Sequence, residues 1–160
     1  MNSHKREESL PIRIRKLLIV AVLVITACEM PSGLEPVAGV EGTLTFNGAW
    51  PDSIKGAALV ALSSFPSDVS QAADLLVNYS TPAPFRTDSI EHFIQLLPGT
   101  YYFLTLGLTI EPAVFATKLD SFQTSGNLPV VLLDTDLATI SQPVTILPQT
   151  IRPLDRAVWF

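Results

Sequence analysis

Hydrophobic and polar residues alternate along much of the chain after residue 36. In residues 40–46, Val40, Leu44 and Phe46 share one face with Gly42, while polar side chains take the other face. An alternation with period two is typical of a strand with one buried face. Apolar runs bounded by turn residues predict six further strands, at residues 57–65, 90–97, 100–110, 128–133, 143–147 and 156–160. In the strand at 100–110, we expect Tyr102, Leu104, Leu106, Leu108 and Ile110 to form the core face.

One segment has the spacing of a helix. In residues 67–78, Val69, Ala72, Ala73 and Leu76 fall at positions i, i+3, i+4 and i+7, and a serine at residue 67 is a suitable N-cap. About seven short strands, with little helix and no regular strand–helix alternation, indicate an all-β fold. We therefore expect residues 37–160 to form a single antiparallel Greek-key β-sandwich with one short helix.

The N-terminal segment has the pattern of a targeting signal. Five of the ten Lys and Arg residues lie in residues 1–16, and an uncharged apolar run of eleven residues follows at 17–27. A spanning helix needs about 20 apolar residues, so this run is too short for one. A basic region before a short apolar run is typical of a secretory signal peptide. Residues 1–27 are therefore predicted to be a helical signal peptide.

The end of this run resembles the lipobox of bacterial lipoproteins at Ile25, Thr26, Ala27 and Cys28. The resemblance implies cleavage between Ala27 and Cys28 and attachment of diacylglycerol and a further fatty acid such as palmitate to Cys28, the chain's single cysteine. Each buried acyl methylene contributes about 0.8 kcal/mol, so several chains anchor a protein stably. Alternatives are a free cysteine near an ordinary cleavage site and an uncleaved N-terminal anchor. The prolines and glycine of residues 29–36 indicate a flexible tether over 28–36.

A second resemblance concerns the sandwich. Residues 97–102 read Leu-Pro-Gly-Thr-Tyr-Tyr, and residues 42–46 read Gly-Thr-Leu-Thr-Phe. Together they resemble the transthyretin-like, or carboxypeptidase-regulatory-like, β-sandwich family, over about residues 39–110. Residues 66–84 look like an insertion relative to that family. The resemblance implies an accessory, adhesive or structural module without a catalytic set, and a fold alone does not determine activity.

Charge and composition exclude several classes of protein. From Cys28 onward there are five basic and thirteen acidic residues, a formal net charge of −8. Nucleic-acid binding needs clustered Lys and Arg, so no nucleic-acid partner is expected. A single cysteine excludes a disulfide framework. No glycine-rich phosphate loop precedes a helix, and we expect no cofactor.

Few side chains suggest chemistry. His92, between Glu91 and Phe93 in a predicted strand, is expected to be a partly exposed sheet histidine rather than a catalytic base. After residue 28, no second histidine or cysteine accompanies it as a zinc ligand. Asp134 and Asp136 offer two carboxylates to a calcium ion or form a solvated acidic turn, and the sequence does not decide between these interpretations.

Exposed aromatic rings are the candidate ligand-binding residues. Trp50, Tyr79 and Tyr101, with Trp159, are able to stack on sugar rings, or to fill the core of the sandwich. The sequence thus predicts a non-catalytic lipoprotein of the bacterial cell envelope, held by a lipid anchor, with the outer membrane as the expected site and an extracytoplasmic domain. Its partner is an envelope protein or a glycan. The alternative is a carbohydrate-binding accessory lipoprotein that uses these aromatic side chains.

Overall fold

Ten strands in two sheets form the framework of the computed structural model, which describes residues 37–134 and 136–160. The predicted signal peptide, Ala27, Cys28 and the tether lie outside the described residues. The described residues belong to one compact unit that runs from Pro36 to Phe160. None of their helices combines the length and the apolar character needed to cross a membrane.

All seven predicted strands are confirmed, and three short ones join them. The strands are β1 (Gly39–Asn47), β2 (Gly56–Leu62), β3 (Leu76–Tyr79), β4 (Ala83–Pro84), β5 (Ser89–Gln95), β6 (Gly99–Leu108), β7 (Val130–Leu132), β8 (Val144–Ile146), β9 (Ile151–Pro153) and β10 (Arg156–Trp159). The α-helices are α1 (Ala72–Leu75), α2 (Pro112–Ser125) and α3 (Leu137–Ile140), and a 3₁₀ turn at Val69–Gln71 precedes α1.

The first sheet has four strands and is mixed. Strand β1 pairs with β5 in antiparallel fashion on one side, and with β9 and β10 in parallel fashion on the other. The expectation of a purely antiparallel sandwich is therefore wrong for this sheet. The reason is topological: β9 begins beside Gly39, at the start of β1, and the last strands then follow β1 in its own direction.

The second sheet has six strands, all antiparallel, in the order β3-β2-β6-β7, with β4 beside β2 and β8 beside β6. Strands β2 and β6 form its centre, paired from Gly56 opposite Leu108 to Leu62 opposite Tyr102. Every residue of β2 is buried. Apolar side chains on both faces are typical of a strand covered on both sides.

The two faces of the second sheet contact different layers. Phe103 and Leu59 pack against Val40 and Ile94 of the first sheet, whereas Leu104 and Leu106 pack with Ala72 and Ile140 of the helical segments. Of the expected core face, Leu104, Leu106 and Leu108 are buried, Tyr102 is half-buried, and Ile110 lies beyond the end of β6. Its alternate side chains, among them Tyr101 and Phe103, form the inter-sheet core.

The helices differ most from expectation. The predicted helix at 67–78 is reduced to the 3₁₀ turn and the four residues of α1, and its last residues belong to β3. The 14-residue helix α2 was not predicted. It buries Phe115 and lacks a continuous apolar stripe, so periodicity does not reveal it. Its ends follow helix rules, since Pro112 lies in the first turn and Gly126 closes it in the left-handed conformation, at φ 66°.

Candidate functional site

A groove of about 390 Å³ lies at one edge of the sandwich, between β10 and the segment that follows β7. We call it the edge groove; its lining residues are Asp134, Asp136, Thr139, Ile140, Asp155, Arg156, Ala157 and Trp159. The volume is within the range of small-ligand sites. Because β7 and β10 lie on the same side of the sandwich, residues far apart in the sequence meet here.

Asp155 and Arg156 reach the groove because the chain passes very close to β1 at Gly42. The Leu154 N–H donates to the Glu41 carbonyl at 2.8 Å, and the Thr43 N–H donates to Asp155 Oδ1 at 2.8 Å. A Cβ atom on Gly42 would lie 2.4 Å from the Leu154 carbonyl oxygen. Only glycine allows this approach, so Gly42 determines where the link between β9 and β10 lies.

The two aspartates predicted as a carboxylate pair have separate structural partners. Asp134 accepts a hydrogen bond from the Thr105 N–H at the centre of the second sheet. Burial raises the pKa of Asp134, although the Thr105 hydrogen bonds and the Arg156 charge oppose this shift. Asp136 accepts from Thr139 Oγ1 and from the Ala138 N–H at the start of α3, and these bonds lower its pKa. Their carboxylates are thus engaged in folding the groove wall.

These placements do not support a calcium site at Asp134 and Asp136. In the ranges 37–134 and 136–160, no three His, Cys, Asp or Glu side chains form a group able to hold a metal ion. Calcium requires six to eight oxygen ligands. Asp134 is also not part of a solvated turn, because its carboxylate is largely withdrawn from water.

Arg156 and Trp159 add a cationic and an aromatic side chain to the groove. Arg156 is half-buried, and its Nε atom is buried without a hydrogen-bond partner among the described residues. Trp159 is 68% exposed at the opposite end of the same strand. The groove therefore combines carboxylate acceptors, a guanidinium donor and a flat aromatic face.

The three other predicted aromatic residues lie apart from one another. Trp50 donates through Nε1 to the Thr87 carbonyl at 3.2 Å and packs in an aromatic cluster with Phe46 and Phe160. Tyr79 contacts the ring of Phe115 edge-on. These two rings and that of Tyr101 belong to three different core clusters.

Tyr101 belongs to the inter-sheet core, and its hydroxyl donates to the Leu97 carbonyl at 3.0 Å, which closes the turn between β5 and β6. Trp50 and Tyr79 are half-buried and Tyr101 is buried, so these rings serve packing, and their part in ligand binding stays a prediction. Only Trp159 of the four presents its ring broadly to solvent.

His92 is buried, and its expected partial exposure is wrong. The side chain is 5% exposed, and its Nε2–H donates to the Leu154 carbonyl at 2.8 Å. Burial lowers the pKa of His92, against the raising effects of the Leu154 carbonyl and the Asp155 charge. It faces Gly42 across the β1–β5 pair, where a shallow pocket of about 370 Å³ opens. His92 thus supports the same crossing segment that positions Asp155.

Sequence reasoning missed the groove itself. Asp155, Arg156 and Thr139 were not singled out, and Trp159 was considered only as one of four aromatic rings. A local signal exists, because Asp155 directly precedes a four-residue strand that begins at Arg156 and ends at Trp159. Their meeting with residues 134–140 depends on the pairing of β10 with β1, which alternation along the chain does not reveal.

Comparison of the chain with protein-family models, with curated proteins and with solved structures gives no match. The case for function therefore depends on the residues themselves.

Proposed function

We propose that the protein is a non-catalytic lipoprotein of the bacterial cell envelope, anchored through lipid on Cys28, with the outer membrane as its expected location. The observation that carries this proposal is the position of the single cysteine, directly after the apolar run and a small residue. The short stretch of sequence between Cys28 and Val37, the first described residue of the domain, is compatible with a tether. The net negative charge after Cys28 favours solubility, which suits a tethered module.

For the sandwich, we infer a transthyretin-like module with Greek-key connections. Two sheets around a shared core are compatible with this assignment, as is the turn at residues 97–101. In that turn the Tyr101 hydroxyl donates to the Leu97 carbonyl, which gives the Leu-Pro-Gly-Thr-Tyr motif a structural role. The family implies a binding or structural role without catalysis.

Metabolic labelling with a clickable palmitate tests the anchor. Wild-type protein should take up the label and begin at Cys28 when its N-terminal peptide is analysed by mass spectrometry. The Cys28→Ala variant should remain unlabelled and unprocessed, because the thiol that accepts diacylglycerol is missing. Label on Cys28→Ala, or a wild-type chain that begins upstream of Cys28, contradicts the proposal.

Carbohydrate binding is the second candidate function, and the exposure of Trp159 at the edge groove favours it. The C–H face of a sugar ring stacks on indole, while its hydroxyls donate to carboxylates and accept from a guanidinium. Arg156 supplies the guanidinium, and Asp155 is the carboxylate that the crossing segment brings to the groove. The aromatic platform suggested by the sequence thus moves from Trp50, Tyr79 and Tyr101 to Trp159.

Pull-down on insoluble polysaccharides, together with a glycan array, tests this second function. Trp159→Ala should lose binding at least tenfold, since the stacking face is removed. Trp50→Phe is the matched control, because it keeps an aromatic ring in the packed cluster and should bind as wild type does. Binding that survives in Trp159→Ala, or no binding to any glycan tested, refutes the carbohydrate function and leaves the lipid anchor untouched.

A further inference from the structure

We propose that one end of the sandwich rests on the lipid surface that holds Cys28. This inference depends on the proposed lipid anchor. The surface concerned, which we call the apolar end, consists of Val37, Leu97, Leu147 and Ile151. These side chains are 45%, 76%, 58% and 43% exposed, respectively.

Backbone hydrogen bonds bring these four residues together from distant parts of the chain. The Leu96 N–H donates to the Ala38 carbonyl at 2.9 Å, and the Gly39 N–H donates to the Thr150 carbonyl at 3.1 Å. Gly99 pairs with Ile146 on the neighbouring strand. Leu97 and Leu147 therefore lie in adjacent loops, beside the segment where β1 begins.

The apolar end differs from the average surface of the domain. Scattered apolar residues are normal on a protein surface, whereas a contiguous group marks an interaction site. At the other end of β1, where β10 ends beside Asn47, Trp159 is 68% exposed and lines the edge groove with charged side chains. The two ends of the sandwich thus have different chemistry.

Charge distinguishes the apolar end in the same way. Residues 37–40, 95–101 and 144–152 contain Arg152 as their single charged residue, although eleven acidic residues occur in residues 37–160. Arg152 donates through a guanidinium nitrogen to the Thr145 carbonyl at 3.1 Å, which holds its positive charge beside this end. A surface without carboxylates approaches anionic lipid headgroups with little repulsion, and a cation there is attracted to them.

The path of the chain identifies the lipid surface as the occupant. The chain enters the described domain at Val37, within the apolar end itself. Nine residues, 28–36, separate it from the lipidated sulfur, and nine residues span at most about 32 Å. The tether therefore keeps the apolar end at high effective concentration near the membrane, so weak insertion of loop side chains is sufficient for contact.

Depth-dependent fluorescence quenching tests this contact in the processed lipoprotein. The protein is reconstituted in phosphatidylethanolamine–phosphatidylglycerol vesicles in which part of the acyl chains is brominated. The L97W variant, at the most exposed position, should be quenched at least twofold more than V114W, the matched control on the exposed surface of α2. L147W serves as a second probe, and circular dichroism verifies that each variant is folded.

The outcomes separate the anchor from the contact. If the lipoprotein floats with the vesicles and L97W and L147W are quenched no more than V114W, this inference is wrong while the proposed function stands. If an emission shift of L97W depends on protein concentration and not on lipid, a second copy covers the apolar end, and the inference is equally wrong. If the protein carries no lipid and does not float, the anchor is refuted and the inference with it.

Discussion

Gly42 is a position at which a single added methyl group should damage the domain, because backbone lies directly against it. In Gly42→Ala, the new Cβ atom would lie 2.4 Å from the Leu154 carbonyl oxygen and 2.8 Å from Asp155 Oδ1. Neither contact is tolerable, and the first involves backbone, which cannot rotate away. The link between β9 and β10 must therefore move off β1.

The cost follows from the hydrogen bonds that this link makes. Moving it breaks the bond from the Leu154 N–H to Glu41, the bond from His92 Nε2 to the Leu154 carbonyl, and the bond from the Thr43 N–H to Asp155. Neutral bonds contribute about 1 kcal/mol each and a bond to a carboxylate about 1.5–3 kcal/mol. Alanine recovers about 0.5–1 kcal/mol of strand preference over glycine. We expect the free energy of unfolding to fall by about 3 kcal/mol.

Urea unfolding of the full chain, followed by circular dichroism, measures this loss. Thr43→Ala is the matched control: it changes the next residue of β1 and keeps the backbone N–H that bonds Asp155. It should cost no more than about 1 kcal/mol. A Gly42→Ala variant within about 0.5 kcal/mol of wild type would show that the close approach of Leu154 to β1 does not determine stability.

Three further predictions use the same unfolding assay. Because burial lowers the pKa of His92 below 6.5, the unfolded state binds the proton first, so the free energy of unfolding should fall as pH drops below about 6.5. His92→Gln, which retains a donor for the Leu154 carbonyl, should lack this component, and identical pH profiles for the two proteins would contradict it. Phe103→Ala should cost about 3–5 kcal/mol by leaving a cavity between the sheets, whereas a loss below about 1 kcal/mol would refute its place in the core. Trp50→Ala should also lose about 3–5 kcal/mol while Trp159→Ala stays within about 1 kcal/mol, and equal losses would contradict the different burial of the two rings.

Alternation in β1 and apolar runs bounded by turn residues elsewhere were sufficient to predict seven of the ten strands of the described residues, because buried positions leave an apolar pattern in the sequence. The same signal fails where both faces are buried. In β6, Tyr101 and Phe103 are as apolar as Leu104 and Leu106, so the pattern could not show which set faces the other sheet. Helix α2 was not predicted for the opposite reason. Few of its side chains are buried, so it leaves no apolar period in the sequence, and only its ends follow helix-capping rules.

The features that could not be predicted from the sequence depend on contacts between distant segments. The parallel pairing of β10 with β1 depends on where β9 begins, and no local pattern encodes it. The edge groove could not be predicted for the same reason, because Arg156 and Asp134 come together only when β10 pairs with β1. The burial of His92 was not predicted because histidine is polar, although alternation places it on the same face as the buried Ile94. Its partner, the Leu154 carbonyl, comes from 62 residues away.

The two proposed surfaces lie at opposite ends of β1, and this separation would give the domain an orientation if it is anchored as proposed. Gly39 begins the strand beside Ile151 of the apolar end, and Asn47 ends it beside Trp159 of the edge groove. A strand of nine residues is about 26 Å long. If the apolar end rests on lipid, the mouth of the groove at Trp159 therefore stands about this far above the surface and is accessible to a polymeric ligand. Carboxylates at the groove, which would be repelled by anionic headgroups, then lie on the side of the domain where they do not oppose membrane contact.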